Sequence, residues 1–139
     1  MKNATIVIAA LASIFTFSTC LATPKNVDKI IHDSLVEVTT EMNKTLPTMV
    51  DEETRLDKVT VYDKTFYGRY TLVNFAIEGL DSTQIQGMHD DLKALHINSY
   101  CTNPGTKILR ENNSGREFDI YDKNAKWVVT ITVTPGDCK

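Results

Sequence analysis

The chain has 139 residues, 42% of them hydrophobic and 24% charged, with 6 Gly and 4 Pro. These proportions exclude a disordered, fibrous or collagen-like chain and fit one globular domain. A formal net charge of -3 withholds the broad positive field that sequence-independent nucleic-acid binding requires, so no nucleic-acid partner is expected.

The chain opens Met1, Lys2, Asn3 and then runs from Ala4 to Phe17 without a charge. That stretch of about 14 apolar or small residues matches a secretory leader and falls short of the roughly 20 that a spanning helix needs. Cleavage after Ala22 places Cys20 and Ala22 at the two small-residue positions, so residues 1–22 are read as a signal peptide and 23–139 as a single domain, periplasmic or secreted. The competing reading makes Cys20 a lipidated first residue. The order Phe17, Ser18, Thr19 before it departs from the Leu-small-Gly/Ala pattern of lipoproteins, and membrane contact is expected only if Cys20 carries lipid. Losing Lys2 with the leader moves the remaining balance further to the acidic side.

Without the leader, Cys101 and Cys138 remain as an even pair. An oxidising compartment permits their bond, and closing that loop is worth roughly 4 kcal/mol in the chain-entropy description. There is no Cys-x-x-Cys, and no His lies at zinc-ligand spacing from either cysteine, so the pair reads as structural.

Val27, Ile30, Ile31, Leu35, Val38, Met42 and Leu46 recur at three and four and predict a first helix, opened at Thr23-Pro24 and ended by Pro47. Val59 and Val61 then alternate with Thr60 and Tyr62, and after Asp63-Lys64 a second strand runs from Phe66 to Phe75, with Gly68 marking a bulge or a close backbone approach. In that strand Phe66, Tyr70 and Leu72 are placed on one face and Tyr67, Arg69 and Thr71 on the other. Asp81 with Gln84 resembles a capping box for a second helix whose inner face is Ile85, Met88, Leu92, Leu95 and Ser99, ending near Cys101. Asn103-Pro104-Gly105 predicts a turn and Thr106 to Asn112 a short helix with Ile108 and Leu109 inward. Two last strands follow, joined by the turn Asp122-Lys123-Asn124-Ala125, with Phe118, Ile120, Trp127, Val129, Ile131 and Val133 facing the helices. The expected fold is α+β: a four-stranded antiparallel sheet packed against two main helices, in the order α-β-β-α-α-β-β, with one disulfide.

No nucleophile elbow, P-loop, dinucleotide Gly pattern, His-Glu-x-x-His or EF-hand loop occurs. His89 and His96 share a helix face but stand about 10 Å apart along it, too far for one ion. Asp90 and Asp91 diverge by about 100° around the helix and cannot work as an acid–base pair. No catalytic residue, metal or cofactor is therefore expected. One strip invites a partner: with the apolar positions of the last strand turned inward, Tyr121, Val128, Thr130 and Thr132 lie on the other sheet face as an uncharged surface that could receive another protein.

Leu46-Pro47, Val50-Asp51, Thr54, Leu56, Val59, Tyr70 and Leu72, followed by Cys101-x-x-Pro104, Asp122, Val129 and Cys138, resemble a loose family of small exported bacterial proteins, most of them without an assigned function. More remotely, a helix leading to a cysteine, a hairpin and a terminal cysteine resembles the pilotins of type II secretion systems, lipoproteins that escort an outer-membrane secretin subunit. The resemblance implies a non-catalytic protein-binding module, an accessory of a cell-envelope or secretion assembly. A second reading is an inhibitor or immunity-type protein that blocks a secreted or periplasmic enzyme. The matching positions are framework residues, so no binding residue is carried over.

Overall fold

A computed structural model describes residues 24–139; the expected leader, its expected cleavage point and Cys20 lie outside the described residues. Helix α1 (Pro24–Asn43) begins with Pro in its first turn, where a missing N–H costs nothing. It ends before the cis Leu46–Pro47 bond, and its Ile31, Leu35 and Val38 are buried, each contributing roughly 1.5–3 kcal/mol by leaving water. Strand β1 is two residues, Thr48–Met49. Strands β2 (Thr54–Tyr62) and β3 (Thr65–Leu72) form an antiparallel hairpin turned by Asp63, whose φ of 53° is left-handed.

Helix α2 (Ser82–Thr102) opens on the reciprocal capping box of Asp81 and Gln84. A 3₁₀ turn at Pro104–Thr106 leads into α3 (Lys107–Glu111), which buries Leu109. Strands β4 (Arg116–Asp122) and β5 (Trp127–Val133) make the second hairpin.

The sheet has five strands in the order β1-β2-β3-β4-β5, and β3 pairs with β4 in parallel. This corrects the expected four-stranded, all-antiparallel sheet. The connection from Leu72 to Arg116 contains a full-length helix, which returns the chain to the end where β3 began, so β4 runs the same way; parallel neighbours require such a crossover. The extra strand, β1, is too short for any alternation to reveal. Both helices lie on one face, α1 against β2 and α2 against β5. A disulfide joins Cys101, in the last turn of α2, to Cys138 beyond β5, with Cα atoms 5.4 Å apart.

Three local devices fix the register. Gly68 is not bulged: a Cβ there would stand 2.9 Å from the Phe118 ring, so β3 needs glycine where the parallel neighbour's aromatic crosses it. The bulge of this hairpin lies instead in β2, between Leu56 and Lys58. Asn43, at the end of α1, donates to the Val59 carbonyl at 2.7 Å and accepts from the Val59 N–H at 3.1 Å. It thereby takes a strand's place on the edge that β1 is too short to cover. The buried Asp122 accepts from the N–H groups of Ile77, Asn124 and Lys126 at 2.8–3.0 Å. Burial works to raise its pKa, but these three donors outweigh it and hold the carboxyl below its ordinary value.

Sequence alternation misplaces two residues of β5. Ile120 pairs with Val129 but Tyr121 pairs with Trp127, so Val128 is the extra residue of a β-bulge, and both valines turn inward. Trp127, expected in the core, is 57% exposed, whereas Val128, expected outside, is 2% exposed. In α2, Leu95 was expected inside and is 54% exposed; the helix presents His96 and Tyr100 to the sheet instead. Urea melts follow from this register. Trp127→Ser should change stability by no more than about 1 kcal/mol, whereas Val128→Asp and Ile131→Arg should each unfold the chain by burying an unpaired charge. A tolerated Val128→Asp with a ruinous Trp127→Ser would reverse the bulge assignment.

Candidate functional site: the open face of the sheet

The face of the sheet away from the helices carries alternate residues of β3, β4 and β5. Parallel and antiparallel register align Arg69 with Asp119 and Thr130, and Tyr67 with Glu117 and Thr132. Side chains follow these rows. Thr130 donates to Asp119 at 2.5 Å and Thr132 to Glu117 at 3.1 Å. The Trp127 indole N–H donates to Thr130 Oγ1 at 3.2 Å, which ties the ring to the outer side of β5. The Arg69 guanidinium lies 3.9 Å from the centre of the Tyr121 ring, a cation–π contact. Further along, Thr71 donates to Asp57, which also pairs with Arg55.

Of the strip expected to meet a partner, Tyr121, Thr130 and Thr132 do share this open face. Val128 does not: the bulge puts it in the core, and Trp127 takes the outer place. Nor is the surface uncharged, since Asp119 and Glu117 of β4 stand directly across from the threonines. Strict period-two alternation assigns Trp127 inward; only the β4–β5 pairing, invisible in one strand, reverses it.

Two shallow hollows border the central row, one of about 310 Å³ lined by Arg55, Asp57, Arg69, Thr71 and Lys123 and one of about 410 Å³ lined by Tyr67, Arg116, Glu117, Thr132 and Thr134. Small-molecule sites are mostly apolar and enclosed, and these are charged and lie on the open face. Among the described residues no three His, Cys, Asp or Glu side chains converge as a metal site would need. No described helix is long and apolar enough to cross a membrane.

Behind the sheet, a polar cluster interrupts the core. His96 stacks on Phe118 with ring centres 4.4 Å apart, and Tyr70 meets the same ring edge-on at 5.5 Å. Arg116, 6% exposed, lies with its Cζ 5.6 Å from the Tyr100 ring; Tyr100 itself donates to the Ser114 carbonyl. Burial, and then the neighbouring Arg116 charge, bring the His96 pKa down to about 4. His89, two turns earlier on the same helix, lies beside Asp90 and takes no part in this cluster.

No protein-family model matches the chain, and no curated protein matches it in sequence. Solved structures do share its fold. A Pseudomonas aeruginosa protein described as secreted superposes with a TM-score of 0.62 at 17% identity, over 88% of this chain and all of that one. The pilotin EpsS of the Vibrio vulnificus type 2 secretion system gives 0.63 at 10% identity, covering 83% of this chain and 97% of its own. The type II pilotin AspS of Vibrio cholerae gives 0.59 at 11% identity, covering 82% and 97%. At such identities the likeness is one of fold, and the remote resemblance read from the cysteine–hairpin–cysteine order is present in three dimensions.

The depressed His96 pKa has a signed consequence. The folded ring stays neutral while the same histidine in the unfolded chain takes up a proton near pH 6.5, so the unfolded state binds more protons and stability falls as the pH drops from about 6.5 to about 4. Below that window the folded ring also protonates and its contribution to the slope ends. The groups facing His96 are Arg116, Tyr70 and Phe118, none of which titrates between these limits. Thermal melts should therefore lose midpoint across pH 6.5–4, and His96→Phe should flatten the curve there; an unchanged slope in that variant would contradict the burial of a neutral imidazole.

Proposed function

We propose that this protein is a non-catalytic, exported protein-binding module that serves a secretion assembly of the cell envelope, receiving a polypeptide partner on the open face of its sheet. The observation that carries the reading is the fold held in common with two type II secretion pilotins over more than four-fifths of the chain. Fold alone does not assign function, and the chemistry of the open face adds to it. Trp127, Tyr121 and Arg69 are residue types that anchor protein interfaces. Trp127 is tied through its indole N–H to Thr130, which in turn bonds Asp119, and Arg69 and Tyr121 hold each other in a cation–π contact, so less side-chain freedom remains to be lost on binding. By analogy with the pilotins, the partner is an envelope secretion component such as a secretin subunit.

Affinity capture from envelope extract, with the retained protein identified by mass spectrometry, tests this reading. The unaltered chain should retain one envelope secretion component. Trp127→Ala and Thr130→Arg, both at outward positions that leave the core intact, should each weaken that retention tenfold or more, as loss of about 1.4 kcal/mol of binding implies. Equal retention by both variants would remove the open face from the site, and capture of a hydrolase would favour an inhibitor in place of a secretion accessory.

A further inference from the structure

We propose that Arg116 is a receptor for a carboxylate group that another molecule supplies, bound in the polar cluster it forms with Tyr70, His96 and Tyr100 between the sheet and α2. Arg116 is among the most deeply buried charged side chains described, and its Nε and Nη2 atoms have no hydrogen-bond partner. Those two donors lie on one edge of the guanidinium and form the fork that grips both oxygens of a carboxylate at once. Arg110, also beside Tyr100, is the contrast: its Nη1 donates to the Tyr100 carbonyl at 2.5 Å, to Thr106 Oγ1 at 2.5 Å and to the Asn103 carbonyl at 3.2 Å. One arginine is satisfied by the fold, and the other is held ready without a counterion.

The chain's own acids do not supply the missing group. Among the described residues no carboxylate pairs with Arg116; the charges and hydroxyls acting on it are those of Tyr70, Tyr100 and Arg110. Residues 1–23 contain neither Asp nor Glu. An unpaired buried cation lowers stability, and an unbranched apolar side chain of similar length would fill the space without that cost. The fork therefore makes physical sense when a ligand completes it.

The surroundings select the ligand. Tyr70, His96 and Phe118 are flat rings, and a planar carboxylate needs two donors, whereas phosphate would bring a third oxygen for which no donor stands by. His96 and Tyr70 are half-buried, so the cluster approaches the surface where α1 and α2, packed on opposite halves of the sheet, leave β3 and β4 between them. Entry requires a covering side chain to move, because both orphan donors are out of contact with water. The carboxylate can belong to a small molecule or to the end of a polypeptide, and the inference stands apart from the role proposed for the open face.

The test uses the disulfide-bonded exported chain at constant ionic strength, with sodium chloride as baseline. The Arg116 Nε–H and His96 ring signals are followed by NMR against sodium acetate, an acetylated trialanine with a free carboxylate, the same peptide as its amide, and sodium phosphate. A saturable shift of the Arg116 Nε–H with acetate and with the peptide acid, together with a rise of the His96 pKa from about 4, supports the proposal for either source. A response to the peptide acid alone supports a polypeptide terminus. No saturable response, equal response to the amide, or preference for phosphate would overturn it. A second arm compares melts: Arg116→Met should melt above the parent chain in chloride and lose any stabilisation by acetate. Should it melt below the parent, or fail to fold, the guanidinium is structural and the proposal falls.

Discussion

The parallel ladder between β3 and β4 is the contact on which the molecule depends. On either side of it the chain makes hairpins that close over a few residues, at little cost in loop entropy. The ladder itself joins residues about fifty positions apart, from Phe66 opposite Arg116 to Leu72 opposite Asp122, and nothing local holds it. Helix α2 supplies the length needed to return, the ring of Phe118 over Gly68 sets the register, and Asp122 ties the loop after β3 to the turn after β4. The Cys101–Cys138 bond then fixes the crossover helix to the end of the sheet, and in the unfolded chain it restricts the stretch that carries β4 and β5.

That ladder also creates the two faces that carry the functional argument. Because β3 and β4 run together, Arg69 meets Asp119 and the row continues to Thr130 on the open side, while Gly68 meets Phe118 and Tyr70 meets Ile120 on the helix side. An antiparallel pairing would break both alignments. The open face is ordered by short polar contacts that leave Trp127 presented to solvent and Tyr121 beneath the Arg69 guanidinium. The inner side holds a cationic, aromatic cluster inside an otherwise aliphatic core. One chemistry suits a polypeptide surface and the other a single anionic group.

What was legible in the sequence was whatever leaves a local mark. The three-and-four spacing of Ile31, Leu35 and Val38, the Asp81–Gln84 box, the turn at Asp122 to Ala125 and the even pair of cysteines each express a contact within a turn or a covalent rule. The parallel seam leaves no such mark, since a strand's alternation is the same whichever way its neighbour runs. The bulge at Val128 was hidden for a related reason: it is a property of two strands' registration. In α2, hydropathy favoured Leu95 over His96, yet the face that reaches the sheet is set by where Tyr100 and the disulfide anchor the helix, and the aromatic floor of Phe118 accepts an uncharged imidazole. Arg116 gave no signal at all, because an arginine opening a strand is ordinarily a surface residue.

The β3–β4 pairing can be read directly from nuclear Overhauser contacts between backbone protons of the labelled chain. The structure predicts contacts that step upward together on both strands, from the Gly68–Phe118 pair to the Tyr70–Ile120 pair. Contacts that rise along β3 while falling along β4, or none between these two strands, would contradict the fold described here and with it the placement of both faces.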